Sequence, residues 1–128
     1  MRASRDQLPI LFGAEPAAIH GADWGELRSI VLSLPAGTDL APLLQGLPDG
    51  LCSCPHWGYV IKGQMRVSYA DRAEVLRAGD LFYLPPGHTG LVEEDFECVE
   101  FSPPAEHQAV LDAVKDNAAA AETATPPR

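Results

Sequence analysis

Basic residues are scarce in this sequence. Its 128 residues include 9 Lys and Arg against 18 Asp and Glu, giving a formal net charge of −9 at pH 7. Nucleic-acid and membrane partners are therefore disfavoured, because phosphates and anionic lipid surfaces are bound by clustered Lys and Arg. No apolar run approaches the ~20 residues that a membrane-spanning helix needs. The composition indicates one globular domain that binds neither partner.

Cysteine is also rare, with three in the chain. Cys52 and Cys54 are separated by one residue, too close for an ordinary disulfide, and Cys98 is predicted to be a core thiol. The N-terminal segment lacks the long apolar stretch and small-residue cleavage site of a secretory signal. We therefore expect a cytoplasmic protein whose cysteines serve as thiols or as metal ligands.

The middle of the chain consists of short apolar runs separated by Gly and Pro. Between Gln64 and Tyr69, apolar and polar residues alternate, which places Met65, Val67 and Tyr69 on one face of a strand. Short strands at intervals of roughly 8 to 12 residues are typical of an all-β sandwich or barrel. The fold class predicted is therefore all-β.

One helix is predicted late in the chain. Ser102 is a suitable N-cap, and Val110, Leu111 and Val114 form an apolar stripe with helical spacing. The predicted organisation is a partly loose N-terminal arm (residues 1–22), a barrel (23–102), a C-terminal helix (103–116) and a disordered tail (117–128). His20 and His107, near the flanks of the barrel, are expected to be solvated.

The segment Leu51–Gly58, LCSCPHWG, carries the first candidate site. Side chains alternate faces in an extended chain, so Cys52, Cys54 and His56 are predicted to point to the same side. Zinc prefers sulfur and imidazole ligands of this kind. The alternative is that both cysteines are small buried side chains and that His56 is a hydrogen-bonded rim residue.

A second candidate ligand follows a stiff turn. The apolar run Leu81–Leu84 leads into Pro85-Pro86-Gly87, and His88 comes directly afterwards. Proline fixes the backbone, so such a turn can hold a ligand in place. The alternative is that His88 is an ordinary surface residue of the turn.

These residues also resemble a known family. Gly79, five residues, Pro85, one residue and Gly87 together resemble the second motif of the cupin superfamily, and the run HWGYVIKG (56–63) resembles the end of the first motif. The resemblance covers about residues 26–102. It implies a small single-domain cupin, that is, a small antiparallel β-barrel or jelly roll, here with a C-terminal helix.

The resemblance also implies a metal site, but the ligands depart from the pattern of the family. Common cupins supply two histidines, a glutamate and a further histidine. Here Cys52 and Cys54 replace the first two, His56 stands in the place of the glutamate, and His88 follows Gly87 directly. Iron and manganese oxygenases prefer imidazole and carboxylate, so this set favours zinc, with iron or nickel as alternatives.

Three functions follow from this reading. The first is a cupin that binds a divalent metal ion at Cys52, Cys54, His56 and His88 and holds a small molecule in its barrel mouth. The second is a metal-dependent enzyme of the oxygenase, isomerase or lyase type with an open coordination position. The third is a metal-free barrel that acts as a dimeric scaffold or ligand sensor. The resemblance also implies a homodimer, since small cupins often pair.

Overall fold

Antiparallel strands make up the larger part of the structure. The computed structural model describes residues 1–124, with side chains to residue 122. The strands and the α-helix are β1 (Ile10–Ala14), β2 (Ala17–Trp24), β3 (Leu27–Leu34), β4 (His56–Ser68), β5 (Ala73–Arg77), β6 (Leu81–Leu84), β7 (Thr89–Ser102) and α1 (Pro104–Ala124). Short 3-10 helices lie at Arg5–Gln7, Ala41–Leu44 and Pro48–Gly50. The prediction of an all-β fold with a C-terminal helix is confirmed.

The sheet is organised around the two longest strands. Its order is β1-β2-β3-β7-β4-β5, and β6 also pairs with β4. The first part of β4 pairs with β6 and the last part pairs with β5, while β7 runs along the other edge of β4. The start of β4 therefore lies between the end of β6 and the end of β7, and side chains from three strands meet there.

A bulge in β4 keeps one face of this long strand in the core. His56 and Val60 are buried before the bulge, and Met65 and Val67 are buried after it, so the inward positions change from even to odd numbers. Gly63 lies between them with φ +86°, and a Cβ atom there would collide with the backbone carbonyl of Asp95. Glycine permits this conformation and this close approach. The predicted shared face of Met65 and Val67 is confirmed by their burial.

The expected loose arm is ordered over most of its length. β1 and most of β2 lie within residues 1–22, and β2 pairs with β3 from Ala18 to Trp24. Ala18 is almost fully buried. Small residues such as Ala and Gly give a weak strand pattern, and pairing with β3 stabilises the strand instead. The prediction of a loose arm is wrong for β1 and β2.

The helix is longer than predicted and begins differently. It starts at Pro104 and continues to Ala124, because the Ala-rich segment that follows residue 116 has high helix propensity. Asn117 anchors this part by donating hydrogen bonds to the carbonyls of Leu43 and Gln45, at 2.7 and 2.8 Å. The disordered tail is therefore wrong for residues 117–124, and residues 125–128 lie outside the described residues. Within residues 1–124, no helix is long and apolar enough to cross a membrane.

Candidate metal centre and cavity

Three side chains meet at one point inside the fold. The ligand atoms of Cys52, His56 and His88 all lie within 4.8 Å of one another, and all three residues are buried. The Cys52 Sγ is 3.5 Å from the Nε2 of His56. The rings of His56 and His88 meet edge to face, with their centroids 5.2 Å apart. Three of the four predicted ligands are thus brought together.

The backbone brings these residues together through two pairings. The amide of Cys52 donates to the carbonyl of His88 at 2.7 Å, and the amide of Gly87 donates to the carbonyl of Cys52 at 2.8 Å. His56 lies opposite Leu84, the last residue before the Pro-Pro-Gly turn. The turn therefore places His88 next to the loop that carries Cys52.

Hydrogen bonds orient both imidazole rings. The Nδ1 of His88 lies 2.7 Å from the carbonyl oxygen of Pro85. A carbonyl only accepts, so this nitrogen must donate, which leaves Nε2 of the neutral ring without a proton and free to bind a metal. The Nδ1 of His56 lies 2.9 Å from a carboxylate oxygen of Glu100 and 2.7 Å from the hydroxyl of Ser102. Metal-binding histidines are commonly held in this way by a carboxylate or a carbonyl.

Glu100 is a functional residue that the sequence reading missed. It is only 7% exposed, and it faces the same interior as Cys98, two residues earlier on β7. Burial raises the pKa of the Glu100 carboxyl, but the positive charge and hydrogen bond of His56 outweigh this and lower it. An acidic residue at an inward position of a strand was the available signal, because a buried carboxylate needs a partner.

Ser102 also has a different role from the one predicted. It is the last residue of β7, it is fully buried, and its hydroxyl contacts His56. The helix begins two residues later, so Ser102 is not its N-cap. A hydroxyl bonds equally well to an imidazole nitrogen and to a helix amide, and only the packing of β7 against β4 decides between them.

The thiol and the imidazole next to each other shift each other's protonation. Burial alone would raise the pKa of Cys52, but hydrogen bonds from His56 and His88 lower it to about 6. Burial alone would lower the pKa of His56, but Glu100 and Cys52 raise it to about 10. Near neutral pH the pair therefore holds one proton, on the imidazole, and the sulfur is a thiolate. A thiolate is the form in which cysteine binds metals.

Cys54 does not join this group. The chain bends at Cys54 before β4 begins, so the alternation of an extended strand does not apply between residues 52 and 56. The Cys54 thiol is fully buried beside Leu44 and Val110 and lies 3.3 Å from the carbonyl of Pro55. Burial, followed by the charge of Cys52, raises its pKa to about 12. Among the described residues, the group of converging ligand atoms is Cys52, His56 and His88, and Cys54 lies outside it.

The donor set fits a soft divalent cation. One thiolate and two imidazoles match the preference of zinc for sulfur and nitrogen, and three protein ligands leave a fourth tetrahedral position for another ligand. The outer nitrogen of each ring is already held by a carboxylate or a carbonyl. The residues present therefore fit a zinc ion with one open position.

His107 and His20 are buried, which corrects the expectation that both are solvated. On α1, the Nδ1 of His107 accepts a hydrogen bond from Arg28 at 3.0 Å, and Arg28 also pairs with Asp23. Burial lowers the pKa of His107 to about 4, and the positive charges of His56 and Arg28 act in the same direction. The His107 ring lies 6.2 Å from that of His56, centroid to centroid, so α1 reaches the site.

His20 is buried on β2, away from this group. Its ring contacts the carbonyl of Leu8 and the carboxylate of Glu15.

The three ligands open onto a cavity of about 200 Å³. Cys52, His56 and His88 lie in its wall together with Glu100 and His107. Most of the remaining wall is apolar and comes from the inner face of the sheet, the 3-10 helix Ala41–Leu44 and α1, including Leu32, Leu44, Met65, Val67, Phe82, Leu84, Phe96, Val110 and Val114. A molecule in this cavity therefore reaches the ligand atoms through an apolar chamber.

Comparisons with known proteins agree with this architecture. A family model described as the AraC-like ligand binding domain matches residues 55–116, which is just under half of the chain. No curated protein matches the sequence significantly.

Solved structures are similar in fold at low sequence identity. An RmlC-like cupin from Shewanella frigidimarina has a TM-score of 0.56 at 18% identity, covering 80% of this chain and 88% of that chain. KdgF from Halomonas sp. has a TM-score of 0.56 at 21% identity, covering 78% and 92%. A mutant of oxalate decarboxylase OxdC from Bacillus subtilis has a TM-score of 0.58 at 19% identity, covering 79% of this chain but only 28% of that chain. The chain therefore has a cupin fold, in which the antiparallel strands form a jelly-roll barrel around the cavity.

Proposed function

We propose that this protein is a metal-binding cupin that holds a small molecule in its barrel. Cys52, His56 and His88 bind a divalent ion; their sulfur and imidazole donors favour zinc, with iron or nickel as the alternatives. The observation that carries the proposal is the convergence of their ligand atoms within 4.8 Å at the wall of the cavity. Two further observations support it. The Nδ1 atoms of His56 and His88 are held by Glu100 and by the carbonyl of Pro85, and the chain matches a family model for ligand-binding domains.

The enzyme version of this proposal uses the open position. A metal ion held by Cys52, His56 and His88 would act as a Lewis acid toward a substrate atom at the open position, or would lower the pKa of water bound there. Glu100 would keep His56 oriented, and the apolar wall would exclude water from the chamber. The binding version needs the same three ligands but no reaction. Oxalate decarboxylase, one structure of similar fold, is an enzyme by its name, but that likeness extends only to the fold.

Metal content tests the proposal directly. Purified untagged protein is expected to carry one zinc ion per chain by elemental analysis. Cys52→Ala and His88→Ala each remove a ligand and should lower zinc content at least tenfold at matched free zinc. Cys54→Ala is the matched control, because it removes a neighbouring buried thiol outside the ligand group. Retention of full zinc by Cys52→Ala, or absence of zinc from the native protein, would contradict the proposal.

The proposal includes a homodimer through an outer surface of the sheet. This aromatic face consists of exposed large apolar side chains on neighbouring strands: Leu27, Trp57, Tyr59, Ile61, Leu81, Tyr83 and Phe101. Trp57 lies directly opposite both Tyr83 and Phe101, and its ring stacks on Tyr83 at 5.1 Å. The neighbouring positions on the same side of β3 and β7, Ser29, Val31 and Val99, are also uncharged, although the chain carries a net charge of −9.

The size and charge of the aromatic face favour a second copy of the chain as its occupant. A large side chain buries about 200 Å² when fully covered, so seven that are roughly half exposed offer about 700 Å². A stable interface buries about 800 Å² on each partner. Two copies that each carry a net charge of −9 repel each other elsewhere, so an uncharged face is where they can meet.

The proposed compartment is the cytoplasm. The three cysteines are free thiols, which fits a reducing environment.

Light scattering after size-exclusion tests the dimer. The native chain is expected at twice its mass of 13.7 kDa, and Trp57→Glu at the monomer mass. Lys62→Glu, an exposed change on the same strand outside the aromatic face, should leave the dimer intact. Leu81→Glu is a second variant, since a residue that is 84% exposed contributes little to the core. A native monomer, or dimers in both Trp57→Glu and Leu81→Glu, would contradict this part.

A further inference from the structure

The cavity has a charge pattern that selects among ligands. Among the side chains of the described residues that line it, none is a lysine or an arginine. Its acidic group is the carboxylate of Glu100, which is buried and bonded to His56. Arg28, which lies nearby, is paired with Asp23 and with His107 and is not part of the wall. With a divalent ion bound, the negative charges of the Cys52 thiolate and the Glu100 carboxylate already balance it, and an anionic ligand would find no lysine or arginine in the wall to balance its own charge.

The size of the cavity sets the size of the ligand. An engineered protein cavity of about 150 Å³ binds benzene, so a cavity of about 200 Å³ admits one small ring with one or two further atoms. The wall that such a ring would touch is apolar, with Met65, Val67 and Phe82 on one side. Val110 and Val114 of α1 contribute to the other side.

Polar contacts are concentrated at one end of this chamber. Cys52, His56 and His88 gather there, whereas the sheet and helix walls beyond them are mainly apolar. A ligand that fills the chamber can therefore present one donor atom to the metal position and must be mostly apolar over the rest of its surface. Beyond this end the wall offers the hydroxyls of Thr38 and Thr89 but no charged side chain, so a second charged group would be buried without a partner of opposite charge, which is costly.

We infer that the natural ligand class is a small neutral compound of about six to nine non-hydrogen atoms, mostly apolar, with a single oxygen, nitrogen or sulfur donor. The inference rests on the proposed metal site for the donor end, and on the cavity wall alone for the apolar end. It disfavours dicarboxylates and phosphorylated compounds as ligands.

Binding of defined probes to the zinc-loaded protein tests this class. The probes are 4-methylpyridine at pH 8 (neutral, one donor), benzoate (a similar ring that is anionic) and oxalate (a small dianion), compared by isothermal titration calorimetry. We expect 4-methylpyridine to bind at least tenfold more tightly than either anion. Val114→Trp, which fills the chamber from α1, should abolish this binding and keep zinc. Lys115→Trp on the exposed side of the same helix is the matched control and should change neither.

The outcomes separate this inference from the metal proposal. Tighter binding of benzoate or oxalate by zinc-loaded protein overturns the ligand class and leaves the metal site standing. If the protein takes up no zinc, the metal proposal fails. The apolar ligand class is then tested separately, by NMR spectra recorded with added toluene. Shifts of the methyl signals of Met65 and Val67 on adding toluene support an apolar ligand class, and unchanged signals overturn it. Zinc uptake with equal probe binding in native protein and Val114→Trp also overturns it.

Discussion

At the scale of single residues, two cysteines two positions apart have opposite roles. Cys52 faces two imidazoles and has its pKa lowered to about 6, whereas Cys54 is buried among apolar side chains with its pKa raised to about 12. The bend at Cys54 separates them. The nearest charged and polar neighbours, rather than the type of residue, decide which thiol can bind a metal.

The number of protons released on zinc binding distinguishes three ligands from four. Cys52 and His56 share one proton at pH 8, and Cys54, whose pKa is raised to about 12, keeps its own. A site without Cys54 should therefore release about one proton per zinc, and a site that includes its protonated thiol about two. Calorimetry in buffers with different ionisation enthalpies measures this number. A value near two, lowered to one in Cys54→Ala, would show that Cys54 is a ligand.

The stability of the metal-free protein is expected to fall on acidification through His107. Its pKa is about 4 in the folded chain, against 6.5 when unperturbed. Between these values the unfolded state binds more protons, so stability is lost as pH falls from about 6.5 to 4, by up to ~3 kcal/mol. His107→Gln keeps an acceptor for Arg28 without titrating and should show a smaller loss. Urea unfolding at pH 7.5 and at pH 5 measures the free energy of unfolding of both proteins. An equal decrease in the native protein and in His107→Gln would contradict the prediction.

At the scale of elements, β4 determines where the site lies. Its first residue, His56, is a proposed ligand, and the bulge at Gly63 lets both halves of the strand bury a face. Without the bulge, strict alternation would either turn Trp57, Tyr59 and Ile61 into the core or expose Met65 and Val67. A shift by one residue exchanges the two faces of a strand.

Two glycine substitutions isolate the role of the bulge. Gly63 and Gly79 both have positive φ, but a Cβ on Gly63 would collide with backbone, and one on Gly79 would meet open space. Gly79→Ala should therefore cost about 1 kcal/mol of unfolding free energy, and Gly63→Ala at least ~2 kcal/mol more. Denaturant unfolding at one pH compares them. Equal losses would mean that the close approach of β4 to β7 does not constrain residue 63.

At the scale of the whole molecule, the proposed metal joins segments that are distant in sequence. Cys52 lies in the loop before β4, His56 is the first residue of β4, and His88 lies in the turn before β7. The ligand group forms only when the barrel closes, so the unfolded chain binds zinc weakly. Metal binding should therefore stabilise the fold as a whole.

Thermal unfolding with and without zinc measures this coupling. At free zinc 100-fold above its dissociation constant, stability should rise by ~2.7 kcal/mol, which raises Tm by roughly 10 °C for a domain of this size. A chelator should reverse the shift. Cys52→Ala should show little shift, and Cys54→Ala should respond as the native protein does. A shift of the same size in Cys52→Ala would place the metal elsewhere.

The sequence by itself determined the fold class, through short apolar runs between Gly and Pro. It also identified Cys52, His56 and His88 as candidate ligands, because the spacing of the first two and the Pro-Pro-Gly turn before His88 are local features of the chain. Only the tertiary structure decided the rest. The inward position of Glu100 on β7 was a local signal, but its contact with His56, like those of Ser102 and His107, joins segments far apart in the chain, and no local pattern specifies which segments meet. The exclusion of Cys54 follows from a single bend before β4, since one change of backbone direction reverses which way a side chain points.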